Sequence, residues 1–489
     1  MALLIACLVV VTHQAHLWAA PSTSKGTLKK KIGRILSDPV LKGAVAGVDV
    51  VSLPDGEALF SRNIDELFTV ASNMKLLTTA AALHTIGSGY RFTTTVYRRG
   101  DVLDEDTLAG DIVIRGGGDP NISGRFYGGR STAIMEDWAV ALQEAGIKEI
   151  TGDIVADDTF FDREYVHPGW PRNQLSRWYC APVSGLSFND NCVEIRLLAD
   201  GNGGVKVVKE PPTGYITVRN SSRLTKKKKG ANLIVHKKPG TNEIFVKGKV
   251  RSRSLPATHF LTVDNPPLFF ASVFKEVLER QGIKVNGRAR LIDDADAYGD
   301  ERGGLATGLH ELASMSSTLG QSVKVANTNS QNFYAEQILK TLGVEVKGEG
   351  SFAAGREVLS GFLLELGYPP DRYNIADGSG LSRENRLSPR IIVGILAHMY
   401  GHREGLTFYS SLSVSGTTGT LKRRLTKPSY KGRVMAKTGY ISKASALSGY
   451  VETLSGKTLA FSILINNFKA SNSKIKKIQD SICRALVNY

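Results

Sequence analysis

The two side chains in this sequence best suited to nucleophilic chemistry are Ser72 and Lys75. They open a segment whose residues 80–83 are apolar on every side, which predicts a buried helix. Residues three apart lie on one face of a helix, so the hydroxyl and the amine would be neighbours. A serine needs a base to become nucleophilic, and a lysine whose pKa is lowered by burial can be that base. We therefore predict Ser72 as a nucleophile and Lys75 as its general base.

Serine and lysine recur with this spacing, so the pair alone identifies no reaction. Three further pairs have the same separation: Ser22/Lys25, Ser471/Lys474 and Ser473/Lys476. A polar, solvated helix surface is the ordinary explanation for such a pair. Only Ser72 opens a buried helix.

A second motif, Ser330-Gln331-Asn332, precedes another predicted helix. The hydroxyl of Ser330 can pass a proton, and the amide of Asn332 can bind a peptide group. Residues 187–189 fit the same pattern, so this motif is also weak by itself.

A third motif, Lys437-Thr438-Gly439, occurs once and closes a strand-like stretch. Lys437 offers positive charge, Thr438 offers a hydroxyl donor, and Gly439 lets a substrate backbone approach closely. We expect Lys437 at the water-accessible rim of a cleft, where it would stay charged, and Lys75 to be buried and neutral.

The three motifs in this order are far more specific than any one of them. They resemble the D-alanyl-D-alanine carboxypeptidase/endopeptidase family, the low-molecular-weight class C penicillin-binding proteins. The resemblance covers nearly the whole chain, and five further segments carry it: 71–83, 111–120, 181–191, 377–382 and 419–424.

The resemblance implies a mixed α/β (α+β) fold, in which a penicilloyl-serine transferase domain has an antiparallel sheet flanked by helices. β-Rich inserted domains would interrupt it, which agrees with the short strands and Gly/Pro turns between about 97 and 306. The expected division is a signal peptide at 1–22, a catalytic domain from 23–96 and 307–489, an inserted domain from 97–193 and 262–306, and a β-rich domain at 194–261.

The implied activity is hydrolysis of D-alanyl-D-alanine bonds in peptidoglycan stem peptides, as a carboxypeptidase, an endopeptidase or both. The acyl-enzyme would form on Ser72, and β-lactam antibiotics would acylate the same serine. The resemblance implies no metal and no cofactor. A serine β-lactamase and a non-catalytic peptidoglycan-binding protein remain the alternatives.

Each motif residue acquires a role from the resemblance. Ser330 and Lys437 would relay the leaving-group proton, while Asn332 and Lys437 hold the substrate. Thr438 and Gly439 would line the site, and the backbone N–H groups of Tyr440 and Ser72 would form the oxyanion hole. An acidic or polar pocket in the inserted domain would read the diamino acid, and Asp157 is the candidate there.

Two positions depart from the family pattern. Gln331 stands where aspartate is common, at a position expected to point away from the substrate. Tyr440 stands where threonine is frequent, and its side chain is expected to alter substrate preference.

Other enzyme classes fail on particular residues. A zinc protease motif beginning at His310 lacks its second histidine, because Ser314 stands in that place. A phosphate-binding loop ending at Thr458 lacks its first glycine, because Val451 is there. The sequence has no G-x-S-x-G motif of the α/β-hydrolases.

The formal net charge of +16 and the lysine run at 226–229 could attract an anionic polymer or membrane surface. No zinc-finger spacing or aromatic RNA-binding motif is present, so we predict no nucleic-acid partner. The apolar stretch 3–11 is typical of an export signal, which predicts a protein of the periplasm or cell envelope with peripheral membrane association.

The cysteines permit one disulfide in an exported protein. Cys180 and Cys192 lie twelve positions apart and are expected to pair, whereas Cys483 is expected to be a buried thiol in the last helix.

Overall fold

The computed structural model describes residues 24–53, 55–104, 106–228, 230–293 and 308–489. The predicted signal segment 1–22 lies outside this part of the chain, as does position 307, where the second catalytic segment was expected to begin. The α-helices of the described residues are α1 (Lys25–Leu36), α2 (Met74–Thr85), α3 (Ala133–Glu144), α4 (Pro266–Arg280), α5 (Leu319–Thr328), α6 (Asn332–Lys347), α7 (Phe352–Glu365), α8 (Pro389–Gly401), α9 (Gly405–Ser411) and α10 (Asn472–Val487).

The strands form antiparallel and mixed sheets. In chain order they are β1 (Val45–Ser52), β2 (Ala58–Arg62), β3 (Phe68–Thr69), β4 (Arg91–Leu103), β5 (Thr107–Gly116), β6 (Glu149–Ile150), β7 (Ile154–Asp157), β8 (Cys192–Ala199), β9 (Val205–Glu210), β10 (Thr217–Thr225), β11 (Ile234–Lys237), β12 (Glu243–Arg251), β13 (Ala257–Thr262), β14 (Lys284–Val285), β15 (Ala289–Leu291), β16 (Leu309–Thr318), β17 (Arg386–Leu387), β18 (Ser413–Val414), β19 (Val434–Ile441), β20 (Ala444–Glu452) and β21 (Thr458–Asn466).

One antiparallel sheet joins the two ends of the chain, with strand order β18-β19-β20-β21-β1-β2. Val45 of β1 lies opposite Asn466 of β21, and the register continues without a break to Ser52 opposite Leu459. β1, near the start of the described chain, and β19, which carries Lys437, therefore belong to one sheet.

Both faces of this sheet are covered by helices. Along β21, Phe461 and Ile463 pack in the same hydrophobic cluster as buried residues of α1 and α10. The alternate residues Ala460 and Leu464 pack in the cluster that contains α2 and α8. Successive side chains of a strand point to opposite faces, so two helical layers enclose the sheet and bury α2 almost completely.

A second sheet of seven strands, β4 to β7 with β14, β15 and β16, is built mainly from the middle of the chain. Helices α3 and α4 pack against it through apolar residues such as Trp138 and Phe270, whose rings stack with centroids 6.1 Å apart. β16 pairs with β4 from Leu309 opposite Arg99 to Thr318 opposite Arg91. The sheet thus extends beyond both expected limits of the insertion, 97 and 306, because these two strands complete it.

Two three-stranded sheets, β10-β12-β11 and β13-β8-β9, occupy the region between about 192 and 262. The described lysines of the basic run, 226–228, are exposed just after β10. Within the described residues, no helix combines the length and hydropathy needed to cross a bilayer.

The expected disulfide between Cys180 and Cys192 is wrong, because both residues are free, buried thiols. Cys180 ends a 3₁₀ turn, Trp178–Cys180, and packs into the hydrophobic cluster around α2. Burial raises the pKa of the Cys180 thiol to about 12, as it does in Cys483, whose burial in the last helix was predicted correctly.

Candidate active site

A strained turn presents Ser72. Residues 71–73 form a 3₁₀ turn that leads directly into α2, and Ala71 has a left-handed backbone with φ of 47°. The carbonyl oxygen of Ala71 packs against Gly380, where a Cβ atom would lie only 1.8 Å from it. Gly380 therefore has to be glycine for the turn to take this position, and Ser72 is left partly exposed at the helix start.

Lys75 lies one turn further along α2 and is completely buried, as predicted. Its Nζ donates to Asn332 Oδ1 at 2.6 Å, to the carbonyl of Ser379 at 2.7 Å and to Ser72 Oγ at 3.2 Å. Burial lowers the pKa of Lys75 to about 7, although the charges of Glu336 and Asp377 act in the opposite direction. A neutral amine beside the serine hydroxyl is therefore accessible near neutral pH.

Two buried carboxyl groups support this lysine. Glu336 accepts the backbone N–H groups of Gly378 and Ser379, at 2.9 and 2.8 Å, and thereby holds the carbonyl that binds Lys75. Burial and the neighbouring Asp377 raise the pKa of Glu336 to about 8. Glu336 was not predicted from the sequence, although a carboxylate between the apolar residues Ala335 and Ile338 of α6 was a signal for it.

Asp377 organises the loop between residues 377 and 385. Its carboxylate accepts the N–H groups of Gly380 at 2.7 Å and Ser382 at 2.6 Å, together with Asn385 Nδ2 at 2.8 Å. Trp170 Nε1, from the middle of the chain, donates to the same carboxylate at 3.0 Å. The inserted segment thus fastens the loop whose Gly380 shapes the Ser72 turn.

The second motif divides its side chains between two directions. Ser330 has a φ of 60°, and its Oγ accepts a hydrogen bond from Lys437 Nζ at 2.7 Å. Asn332 faces Lys75 through Oδ1 and donates through Nδ2 to the carbonyl of Tyr179 at 2.7 Å. Gln331 points elsewhere and donates to Asp190 Oδ2 at 2.8 Å.

Lys437 lies inside β19 and is completely buried, so the expectation of a charged lysine at a water-accessible rim is wrong. Its Nζ donates to Ser330 Oγ and, at 2.9 Å, to the carbonyl of Thr438. Burial and the nearby Lys75 both hold the pKa of Lys437 well below its ordinary value. The 3₁₀ turn and β19 are also tied together, because Asn73 Nδ2 donates to the carbonyl of Lys437 at 3.0 Å.

The rest of the third motif lies beside this lysine. Thr438 Oγ1 bonds the hydroxyl of Thr420 at 2.8 Å, which brings in the segment 419–424. A Cβ atom on Gly439 would lie 2.8 Å from the carbonyl of Val70, so glycine allows β19 to pack against the Ser72 turn. The Tyr440 side chain is 53% exposed, and a substrate can reach it.

Asp157 does not join this group of contacts. Asp157 is the last residue of β7 and is 1% exposed. One carboxylate oxygen pairs with Arg115 Nε at 2.8 Å. The other oxygen accepts hydrogen bonds from the backbone N–H and the hydroxyl group of Thr159. Both oxygens are thus engaged within the inserted region, and Asp157 presents no free oxygen to a diamino acid.

Hydrogen bonds connect Ser72, Lys75 and Asn332 in one chain and Ser330 with Lys437 in another. The two chains of hydrogen bonds lie close enough for the positive charge of Lys75 to lower the pKa of Lys437, so protonation of one lysine disfavours protonation of the other. This arrangement can deprotonate a serine and return a proton to a leaving group, which are the two transfers that an acyl-enzyme reaction needs.

Comparison with known proteins agrees with this geometry. Residues 28–489 match the model of the D-Ala-D-Ala carboxypeptidase 3 (S13) family. The D-alanyl-D-alanine carboxypeptidase of Actinomadura sp. (strain R39) is 33% identical over 488 residues, which cover 94% of this chain and 85% of the relative. The D-alanyl-D-alanine carboxypeptidase DacB of Haemophilus influenzae is 24% identical over 452 residues, covering 90% and 89%.

The fold matches a solved structure as well. Penicillin-binding protein 4 (dacB) from Haemophilus influenzae superposes with a TM-score of 0.78 at 23% identity, covering 96% of this chain and 100% of that one. The expected penicilloyl-serine transferase architecture is therefore confirmed. With a family model that spans nearly the whole described chain and a relative at 33% identity, the resemblance inferred from the motifs is also confirmed: the chain belongs to the D-Ala-D-Ala carboxypeptidase 3 (S13) family.

Proposed function

We propose that this protein is a serine DD-peptidase that hydrolyses D-alanyl-D-alanine bonds in peptidoglycan stem peptides through an acyl-enzyme on Ser72. The observation that carries the proposal is the position of Lys75. Its amine is fully buried, lies 3.2 Å from Ser72 Oγ and has a pKa lowered to about 7. A base with a pKa near the working pH combines availability of the neutral form with sufficient basicity.

Acylation begins when neutral Lys75 takes the proton of Ser72 and the alkoxide attacks the carbonyl carbon between the two D-alanines. The backbone N–H groups of Ser72 and Tyr440 receive the developing oxyanion. When the C–N bond breaks, the leaving amine needs a proton. Ser330 supplies it and is replenished from Lys437, whose Nζ lies 2.7 Å from the Ser330 hydroxyl.

Deacylation releases the shortened peptide. Before deacylation the proton on Lys75 passes to Lys437, which returns both amines to their starting forms. A water molecule then attacks the ester and gives its proton to Lys75, and Lys75 passes that proton to Ser72 as the ester bond breaks. Asn332 positions the base in both steps, because its Oδ1 holds Lys75 Nζ at 2.6 Å. Thr438, Gly439 and Tyr440 follow Lys437 along β19. In the proposed reaction they line the side of the site from which the peptide enters.

β-Lactam antibiotics would acylate Ser72 by the same route. Their strained amide replaces the scissile peptide bond, and the opened ring stays attached, so the ester persists. A structure of the Haemophilus influenzae penicillin-binding protein 4 carries a bound β-lactam, and this chain shares its fold with a TM-score of 0.72. That relationship supports the same class of inhibitor here.

The site of action proposed is the cell envelope, where peptidoglycan is found. The net charge of +16 favours contact with the anionic polymers and membrane surfaces of that compartment. Fractionation of cells that produce the full chain tests this placement. Recovery with the cytoplasmic fraction would contradict it.

Release of D-alanine from a pentapeptide ending in D-Ala-D-Ala, combined with mass spectrometry after penicillin treatment, tests the reaction. We expect one penicilloyl group on Ser72, and Ser72→Ala should lose both the adduct and D-alanine release while remaining folded. Ser473→Ala is the matched control, because Ser473 and Lys476 have the same spacing on the exposed face of α10. An adduct on another serine, or rapid turnover of penicillin, would overturn the proposal.

A further inference from the structure

Three histidines from two helices meet at the end of α2 opposite Ser72. His84 lies in the last turn of α2, His398 in the last turn of α8, and His402 directly after α8. The three ring centroids are 5.1 to 5.3 Å apart, and one ring nitrogen from each residue lies within 4.8 Å of the others. All three rings are half-buried, so an ion from solvent can reach them.

The spacing of the nitrogens suits a transition metal. His398 Nε2 and His84 Nδ1 are 3.2 Å apart. Two nitrogens that bind one tetrahedral Zn²⁺ at about 2.05 Å would be separated by about 3.3 Å. The first two ligands are therefore nearly in place without movement of either helix.

A carboxylate fixes the orientation of His84. Its second nitrogen, Nε2, lies 3.2 Å from Glu365 Oε2 at the end of α7. When Nε2–H donates a hydrogen bond to Glu365, Nδ1 carries the lone pair. Nδ1 is the nitrogen that faces His398. Histidine ligands of metals commonly carry such a carboxylate partner on the other nitrogen.

The remaining histidine needs one local change. His402 Nδ1 accepts the backbone N–H of Glu404 at 3.2 Å, so coordination through Nδ1 would replace this contact. His402 lies beyond the last residue of α8, where a side-chain turn does not disturb the helix.

We propose that His84, His398 and His402 form a binding site for a divalent transition metal of the zinc type, with water completing the coordination. Imidazole ligands suit Zn²⁺, Co²⁺, Ni²⁺ and Cu²⁺ rather than the oxygen-preferring Mg²⁺ or Ca²⁺. The twelve residues from Ser72 to His84 span about 18 Å of helix, so the ion would not touch the reacting atoms. It would clamp the far end of α2 to α8, independently of the reaction at Ser72.

Titration of the full chain with Co²⁺ alone, followed by visible absorption and by competition with Zn²⁺, tests the site. We expect one Co²⁺ per chain with the intense visible bands of a low-coordinate cobalt centre, displaced by Zn²⁺ and not by Mg²⁺. His398→Gln and His402→Gln should each weaken binding by at least about tenfold. His310→Gln, at an exposed position on β16, is the matched control and should bind as the parent does.

Two further measurements keep the proposal falsifiable if a variant unfolds. Glu365→Gln leaves all three ligands in place and should weaken Zn²⁺ binding about tenfold, because it removes the partner of His84. Zn²⁺ should also raise the melting temperature of the parent and of His310→Gln, but not that of His402→Gln. Unaltered Co²⁺ spectra in His398→Gln and His402→Gln, or no binding by the parent, would overturn the proposal.

Discussion

Lys437 reaches Ser330 from a position with no exposure to solvent, and its Nζ donates to the serine Oγ at 2.7 Å. A lysine in this position does not act as a surface charge. Its pKa is held well below the ordinary value by burial and by Lys75, which gives it a proton that it can easily release. Lys75, with a pKa of about 7, and Lys437, with a lowered pKa, are therefore both groups that can exchange protons rather than permanent charges.

The burial of Lys437 and its contact with Ser330 make Lys437→Arg a test of the proton relay. Arginine keeps its charge and cannot release a proton near neutral pH. Its guanidinium group is also larger than the lysine ammonium group and would have to fit a fully buried space. We expect penicillin acylation to slow by at least about 100-fold, the usual lower range for loss of a proton-transfer group. Lys443→Arg, at an exposed position in the same hairpin, is the control. A Lys437→Arg protein that acylates within about threefold of the parent rate would contradict the relay.

The rate of acylation should depend on pH through Lys75. Below its pKa of about 7 the amine is protonated and cannot accept the proton of Ser72. The rate should therefore fall about tenfold per pH unit on the acid side and level off on the alkaline side. Labelled penicillin measured from about pH 5 to 9 gives the profile, and Lys75→Arg should show no acylation at any of these values. A profile that is flat through pH 7 would exclude Lys75 as the base.

Glu336 should act as a positioning residue that also sets the midpoint of this profile. With a pKa of about 8, Glu336 is ionised in only a fraction of the molecules near pH 7, and in those molecules it stabilises the protonated form of Lys75. Glu336→Gln should therefore lower the pKa of Lys75 and move the midpoint to lower pH by about half a unit or less. Glu349→Gln, an exposed position just beyond the same helix, should leave the midpoint unchanged. A reduced rate with an unmoved midpoint would show that Glu336 only supports the backbone at residues 378 and 379.

Gly380 provides a test of the turn that presents Ser72. Its φ is 81° and an added Cβ would lie 1.8 Å from the carbonyl of Ala71, so Gly380→Ala has to displace the turn. We expect a loss of about 2 kcal/mol in the free energy of unfolding and a marked decrease in the acylation rate. Gly361→Ala is the control: this exposed glycine of α7 has open space around it and should gain up to about 1 kcal/mol. Parent-like acylation in Gly380→Ala would show that the turn is not constrained by this contact.

The sequence predicted the parts of the site that depend on local spacing. The separation of Ser72 and Lys75 along a buried helix determines their contact, and the three motifs together identified the family and the fold. Burial of Lys437 was not predictable in this way, because a lysine near the end of a strand gives no sign of what covers it. In the structure, the Ser72 turn and the Ser330 loop cover it, and both come from distant parts of the chain.

Glu336 shows a second limit of sequence analysis. It lies on α6 between Ala335 and Gln337, both of which are buried, so no solvent-exposed face of the helix accounts for the carboxylate. Such a residue signals an internal partner, but the sequence does not identify the partner. The backbone of Gly378 and Ser379 supplies it from a loop more than forty residues away. Asp157 was selected from the sequence for a binding role, but its carboxylate forms an ion pair with Arg115 in the same sheet.

The pairing of β1 with β21 determines when this protein can become active during its synthesis. Val45 leaves the ribosome 421 residues before its partner Asn466. Contacts this far apart in the chain form slowly and late, whereas the sheets between residues 91 and 318 can assemble from nearer segments. The Ser72 turn therefore remains without its supporting sheet until β21 has been synthesised. A chain that ends before Thr458 would lack β21 and leave β1 without that neighbour, so we expect such a truncated chain to be inactive.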